Sequence, residues 1–440
     1  MKKEDLQPLK GFRDELPAER IPKQAMLGTI ARVFESYGFA PLDSPALERA
    51  SVLVGKYGEE GDRLLYRFRD HGDRDVALRY DLTVPLARVI GSHPELTMPF
   101  KRYQIGKVWR AERPARGRFR EFMQCDVDIL GAGSLLADCE CLQVICSVLE
   151  ALGVGAFRVE VNNRKLLNAL LAHFAISGRD RVHASLRILD KLGKIPAEDV
   201  RDLLVSEVRW TPENAAGFMD CVTGGLGEAK ARLPADDPGL AELEQLLELA
   251  ELAGIRERVH VNLSIARGLD YYTGTIYETF LTELPGFGSV MSGGRYDDLL
   301  KHIAGRDLPA IGVSLGISRL FAGLHELGLV APAASPARVM VASYGAETAR
   351  ETLACAKALR DAGLPTDSFP GDAKLGKQFK HAHRLGVDVV CIIGPEEAEQ
   401  GLVRVKVLSS GDQRDVPAAG IADEVNRALE KSGATGIESG

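Results

Sequence analysis

Residues 118–129 carry an alternation with chemical consequences. Read as an extended strand, successive side chains point to opposite faces. Phe119, Glu121, Met123, Cys125, Val127 and Ile129 fall on one face, which is mostly apolar. Arg118, Arg120, Phe122, Gln124, Asp126 and Asp128 fall on the other. Two arginines, an amide and two carboxylates on one face mark either solvated sheet surface or the floor of a polar site. The site is favoured by Arg110, Glu112 and Arg113, which end the preceding strand pattern and converge on the same face, with RPARG as the hairpin loop. A guanidinium is a planar fork of donors suited to phosphate oxygens. Gln124 can accept and donate around the ammonium or carboxylate of a small substrate, and Asp128 can accept an N–H.

Three further segments carry usable groups, each with a plainer explanation beside the chemical one. LRYDLTVPLAR (78–88) sets Asp81 and Thr83 at a strand-to-helix junction. Asp81 is a good N-cap there, with Pro85 early in the helix. ARGLDYYTGTIYE (266–278) brings Arg267 beside Tyr271 and Tyr272, which point to opposite sides if extended; a core tyrosine at a strand entrance is the competing explanation. Gly312, Gly316 and Arg319 have the i, i+4, i+7 spacing of one helical face. That face opens to a flat group, with the arginine at its edge, or it simply packs tightly on another helix. KLGKQFKHAHRLG carries Lys374, Lys377, Lys380, His381 and Arg384, several of them on one helix face, as solvated charge or as a phosphate contact.

KRYQIGKVWRAERPARGRFREFMQCDVDILG (101–131) resembles the second signature motif of class II aminoacyl-tRNA synthetases in its histidine-specific form. The resemblance implies that Arg110 contacts the ATP α-phosphate and the amino-acid carboxylate. It implies that Glu112 and Arg118 serve ATP, and that loop arginines Arg113 and Arg116 reach the outer phosphates and the tRNA acceptor end. RGLDYYTG resembles a motif special to histidyl-tRNA synthetases. It implies Arg267 against the reacting α-phosphate, where a permanent cation stabilises developing negative charge. Tyr271 and Tyr272 would border a histidine pocket, with Gln124 and Asp128 facing the substrate. A neutral imidazole offers one donor and one acceptor, so such a site rejects amino acids that leave its buried polar groups unpaired. Asp81-Leu82-Thr83 resembles the element that grips the substrate α-ammonium, in the Asp-Leu-Thr version rather than Glu-Gly-Thr. PAIGVSLGISRL is similar to the third class II motif, implying Arg319 against adenine or its phosphates, and SGGRYDDLL brings Tyr296 to the histidine site. Pro45 resembles the first motif's proline at a dimer interface. Ala115 departs from the glutamine often found at its position, so the acceptor-end contact differs.

These residues need elements to hold them. The 440 residues predict two or three domains, and 329–336 (LVAPAASP) reads as a break. The expectation is an α+β class II synthetase domain over 1–330, built on an antiparallel sheet with a helical insertion at about 166–253. A linker at 331–337 and a C-terminal α/β anticodon-binding domain at 338–440 follow, the latter with strands at 338–343, 387–393 and 403–408 and helices at 347–362, 374–385 and 421–431. Earlier in the chain, Met26, Ile30, Val33, Phe34 and Tyr37 share a helical face, 64–69 and 76–80 form a hairpin, and strands run over 101–112 and 118–130.

Composition is ordinary for a globular protein: 45% hydrophobic, 27% charged, net charge −7. The charge argues against a uniformly basic nucleic-acid coat, but not against local basic patches for tRNA. Seven cysteines without a CxxC pair argue against a zinc site or a disulfide framework. No stretch reaches membrane-span length, the N-terminus does not read as a signal peptide, and a cytoplasmic location is expected.

The expected activity is that of a histidine–tRNA ligase: ATP activates L-histidine, the product loads tRNA(His), and Mg2+ accompanies the outer phosphates with Glu112 as a candidate ligand. A homodimer is expected. Two rivals share the fold: a non-aminoacylating regulatory subunit of histidine biosynthesis, and a module that senses uncharged tRNA. The first generally lacks the anticodon domain, and the second sits beside an effector domain.

Overall fold

The computed structural model describes residues 2–56, 58–114, 118–266, 272–371 and 373–431. The chain divides into two units. One takes residues up to 13 and 29–329; the other takes 14–28 and the chain from 330 onward. In chain order the first unit holds β1 (Ala40–Pro41), β2 (Leu47–Arg49), β3 (Arg67–Arg69), β4 (Asp75–Leu78), β5 (Phe100–Trp109), β6 (Glu121–Leu130), β7 (Phe157–Asn163), β8 (Val259–Val261), β9 (Thr275–Leu281), β10 (Met291–Arg295) and β11 (Ala310–Gly316).

Eight of these strands form one sheet in the order β1-β5-β6-β11-β10-β9-β7-β8. From β5 through β7 every neighbour is antiparallel. Only the edge pairs β1/β5 and β7/β8 are parallel. The hairpin β3/β4 joins β2 in a separate three-stranded sheet. The central strands are buried on both faces, which is why β6 reads apolar at alternate positions while its polar positions are covered as well. Cys125, Val127 and Ile129 are buried, and so are Gln124, Asp126 and Asp128. The solvated-surface explanation of that polar face is therefore excluded.

Helices Leu135–Ala151 and Ile317–Glu326 lie against the middle of this sheet. Asp138, fully buried, ties the first of them to β9 and β10. Its Oδ1 accepts from Thr275 Oγ1 at 2.6 Å, its carbonyl accepts from Tyr277 Oη at 3.0 Å, and Arg295 pairs with its carboxylate. The expected insertion is helical throughout, with Arg164–His173, Arg179–Leu189, Ala197–Val208, Pro212–Gly224, Leu226–Arg232 and Pro238–Leu252. Its core is aromatic: Trp210 and Phe218 ring centroids lie 5.0 Å apart, and Trp210 Nε1 donates to Ser185 Oγ.

The second unit holds β12 (Val339–Ala342), β13 (Thr366–Ser368), β14 (Val389–Ile392), β15 (Leu402–Val407) and β16 (Gln413–Pro417), ordered β13-β12-β14-β15-β16. Alternation along β12 splits its side chains between two cores. Val339 and Val341 pack with Leu359, Val425 and Leu429. Met340 and Ala342 pack with Ala382 and Val390. Helices thus cover both faces, as buried parallel strands require. The sequence missed the short β13, the edge strand β16 and the helix Pro395–Gln400. All seven cysteines are buried and free of disulfides, and no helix among the described residues is long and apolar enough to cross a membrane.

Three expected elements are corrected. The strand expected over 101–112 ends at Trp109, and the one expected over 118–130 starts at Glu121. Gly312 and Gly316 do not share a helical face with Arg319. They lie on β11, and the helix begins only at Ile317. The i, i+4 spacing misled because a strand position also needs the missing side chain: a Cβ on Gly312 would lie 2.1 Å from Asp128 Oδ1.

Candidate functional site

Strands β6, β9, β10 and β11, the segment that follows β5 and the segment entering helix Thr83–Ser92 enclose a cleft of about 510 Å³. Asp81, Thr83, Arg110, Glu112, Arg118, Gln124, Asp128, Tyr272, Tyr296 and Arg319 all line it. Its polarity changes along β6. From Phe122 to Asp128 is six residues, about 20 Å at ~3.4 Å per residue. Arginines gather at the start of this line and carboxylates at its end. Antiparallel pairing sets Gly316 opposite Gln124, so the helix after β11 carries Arg319 toward the arginine end.

At that end Arg110 is pinned without using its outer nitrogens. Its Nε donates to the Tyr80 carbonyl at 3.1 Å. Its guanidinium carbon sits 4.2 Å from the centre of the Tyr80 ring and 5.1 Å from that of Phe122. Cation–π contact on both rings fixes the plane of the fork. Both Nη groups then remain available, among the described residues, for an anion. Arg118 pairs with Glu112, whose carboxylate is largely buried. Arg319 Nη1 donates to the Ser289 carbonyl at 2.8 Å.

At the other end Asp128 is held on two sides. Its Oδ1 accepts from the Tyr296 hydroxyl, and its Oδ2 lies 2.6 Å from Arg102 Nη2. Arg102 faces Asp128 in register on β5 and is fully buried, with its Nη2 also donating to the Leu82 carbonyl at 3.3 Å. Burial raises the Asp128 carboxyl above its ordinary range, and Arg102 and the Tyr296 hydroxyl pull it back down. Asp126, two residues earlier, is pushed up to about 7 by burial, against the pull of Arg102. Gln124 Nε2 donates to Ser314 Oγ at 2.5 Å, and Ser314 Oγ donates to Asp126 Oδ1 at 2.6 Å. Asp81 does both jobs its position allows. It lines the cleft and its Oδ1 accepts from Val84 N at 3.1 Å at the helix start.

An arginine-lined end suits a chain of phosphates, and a carboxylate-lined end suits a cationic or N–H-bearing group. Residues 11–320 match the family model described as "Histidyl-tRNA synthetase", and residues 338–428 match "Anticodon binding domain". The chain belongs to the histidyl-tRNA synthetase family. A "Histidine--tRNA ligase" of Rhodopirellula baltica is 43% identical over 419 residues, covering 93% of this chain and 94% of its own. The crystal structure of histidyl-tRNA synthetase from Nostoc sp. PCC 7120 is 34% identical with a TM-score of 0.85, covering 96% of this chain and 99% of that one. A Bacillus halodurans structure described as "ATP phosphoribosyltransferase regulatory subunit/histidyl-tRNA synthetase" shares the fold at a TM-score of 0.75 with 22% identity, over 89% of this chain and 100% of that one.

The fold is thus the class II one of this family, an antiparallel-rich sheet with inserted helices, followed by an anticodon-binding domain with a sheet of its own. Of the residues expected to bind histidine, Leu82 is kept out of the cleft, fully buried beside Asp81 and Thr83, which line it. Arg113 is exposed and is not part of the cleft wall. Arg116, Arg267 and Tyr271, with Ala115, lie outside the described residues. Arg120 belongs to the polar alternation but turns away. Its Nε donates to the Glu112 carbonyl and its Nη1 to that of Lys10. In the second unit Lys374, Lys377 and Lys380 are all exposed at or on helix Leu375–Leu385, whose buried residues are Gln378 and Ala382.

Sequence reasoning missed Arg102, Asp126 and Ser314 as parts of the site. Asp126 had a signal, since it shares the polar face of β6. Arg102 and Ser314 had none without the register that sets them opposite Asp128 and Asp126.

Proposed function

We propose that the protein is a histidine–tRNA ligase that activates L-histidine with ATP and transfers it to the 3′ end of tRNA(His). The observation that carries this is a single cleft with a fixed arginine, Arg110, at one end and the Arg102–Asp128–Tyr296 set at the other. In the first step the histidine carboxylate attacks the ATP α-phosphorus and pyrophosphate leaves. The tRNA terminal ribose hydroxyl then attacks the adenylate carbonyl and AMP departs. No protein general base is assigned. Catalysis comes from positioning and from charge stabilisation by Arg110 and Arg267.

Asp81 and Thr83 at the helix start, with Gln124, receive the substrate ammonium. Asp128, Tyr272 and Tyr271 address the imidazole. Glu112, Arg118 and Arg319 serve ATP. Among the described residues no cluster of three or more potential ligands is preformed for a metal, which fits Mg2+, an ion that keeps several waters and takes one or two carboxylates beside substrate phosphates. Glu112 on the cleft wall is the candidate carboxylate, and the ion's contribution when bound is to neutralise the outer phosphates. Arg113 and Arg116 address the tRNA acceptor end; Lys374, Lys377 and Lys380 address the anticodon region by phosphate contact. The catalytic domain would span 1–330 and the anticodon-binding domain 338–440 across a linker at 331–337. A homodimer in the cytoplasm completes the reading. The regulatory-subunit alternative is disfavoured by the anticodon-binding match.

The test is aminoacylation of a tRNA(His) transcript with labelled histidine. Charging of this transcript but not of other tRNAs supports the reading. A protein that binds histidine and ATP yet charges no tRNA overturns it in favour of the regulatory alternative.

A further inference from the structure

Gln124 is buried and lines the cleft, yet its Oε1 has no hydrogen-bond partner among the described residues. Asp126 Oδ2 is in the same condition. Buried polar atoms of this kind are normally satisfied, and for the Gln124 oxygen the bonds around it supply an explanation. An ionised carboxylate only accepts, and a hydroxyl has one proton to give. Ser314 gives that proton to Asp126 Oδ1 at 2.6 Å. Its oxygen must therefore accept from Gln124, and only the amide NH2 can donate. The 2.5 Å contact from Gln124 Nε2 to Ser314 Oγ follows from this logic. The carbonyl oxygen, itself buried, is the acceptor this leaves open on a residue that lines the cleft.

We propose that Ser314 and Asp126 are positioning residues that fix the orientation of the Gln124 amide, so that its carbonyl oxygen meets the α-ammonium of the amino-acid substrate. The inference rests on the reading of the cleft as an amino-acid activation site. Neither residue touches the reacting atoms; both act through Gln124. The register makes the relay specific to this strand pair, because Ser314 lies opposite Asp126 and Gly316 opposite Gln124.

The relay has a direction that depends on one proton. When Asp126 is protonated its O–H can donate to Ser314 Oγ. The Ser314 hydroxyl is then released to donate to the amide oxygen, and Gln124 turns its NH2 toward the cleft. Donors would then face an ammonium. The charged and titratable groups around Asp126 are Arg102 on β5, Arg79, Asp81, Asp128 on its own strand and the adjacent Cys125 thiol. Burial is the largest influence on Asp126 and sets its titration at about 7. Substrate affinity through this relay is therefore present above that value and lost as pH falls through it.

Ser314→Ala and Ser314→Thr test this in histidine-dependent ATP–pyrophosphate exchange, from about pH 6 to about pH 8.5, across the titration of Asp126. At the upper end Ser314→Ala should raise KM for histidine about tenfold while kcat changes by less than about threefold, the loss of one hydrogen-bonded orientation. Ser314→Thr, which keeps the hydroxyl, should restore KM to within about threefold. The ratio of mutant to wild-type KM should shrink toward low pH. The substrate's own imidazole titration is common to both proteins and divides out of that ratio. Asp126→Asn, which has no proton to gain, should show a flatter profile than wild type. A wild-type KM in Ser314→Ala, equal damage in the Ala and Thr variants, or a ratio independent of pH would overturn the relay. Exchange by the wild-type enzyme is the separate test of the functional reading; failure there is distinguishable from failure of the ratio.

Discussion

Gly312→Ala puts one methyl group where the structure has no room for it. The added Cβ would lie 2.1 Å from Asp128 Oδ1, 2.7 Å from its Cγ and 2.7 Å from the Val127 carbonyl oxygen. Carbon and oxygen settle at about 3.3 Å or more, so the carboxylate must retreat by about 1.2 Å. It cannot do so freely, because Tyr296 holds one oxygen and Arg102 the other. Overpacking of this kind costs about 1–3 kcal/mol of stability. A misplacement near 1 Å in a positioned group costs on the order of 10²-fold in rate, or about 2.7 kcal/mol of transition-state stabilisation. Histidine-dependent ATP–pyrophosphate exchange should therefore lose about 100-fold in kcat/KM for histidine, carried mainly by KM, with a much smaller change in KM for ATP. Gly316→Ala is the matched control for stability, because its added carbon meets nothing nearer than the Val290 carbonyl at 3.7 Å. If Gly312→Ala is folded and binds histidine with wild-type KM, Asp128 does not set the amino-acid end of the cleft.

Arg110→Ala should lower kcat for exchange by about 10²–10³-fold with the fold intact, as loss of one preorganised donor does; near-wild-type kcat would remove Arg110 from the chemistry. Arg102→Met leaves Asp128 as an uncompensated buried carboxylate and should cost about 3–5 kcal/mol in denaturant unfolding. Asp126 has a folded value near 7 against an ordinary 3.8, so the native state binds the extra proton between them. Stability should fall as pH rises from about 4 to about 7, by about 4 kcal/mol at most from this group, and Asp126→Asn should flatten that slope in pH-dependent denaturation. Replacing both Lys377 and Lys380 with alanine should weaken tRNA binding and lower its salt slope by about one for each phosphate left without its lysine, damaging aminoacylation more than exchange.

The parts of the site legible in the sequence were those where one element's own periodicity did the selecting. Alternation along β6 singled out Gln124 and Asp128, and Arg110 followed from the strand before it. What pairing and burial decide was illegible. Arg102 looks like an ordinary strand arginine until register sets it opposite Asp128, and Ser314 is an unremarked serine until it faces Asp126. The glycines of β11 show the opposite failure. Their spacing fits a helix, but Gly312 is glycine because Asp128 fills the space a side chain would take. Leu82 sits between two cleft residues, yet backbone geometry turns it into the core. In the second unit the long apolar runs were legible, whereas β13 and β16, short or at an edge, carry too little apolar surface to stand out.

The most direct measurement is ATP–pyrophosphate exchange by the purified protein with Mg2+ and each of the twenty amino acids in turn. Exchange with histidine alone is the predicted result, and it would tie the arginine end and the Asp128 end of the cleft to one reaction. Absence of exchange with histidine from folded protein that binds ATP, with tRNA also supplied, would contradict the assignment of this cleft to histidine activation.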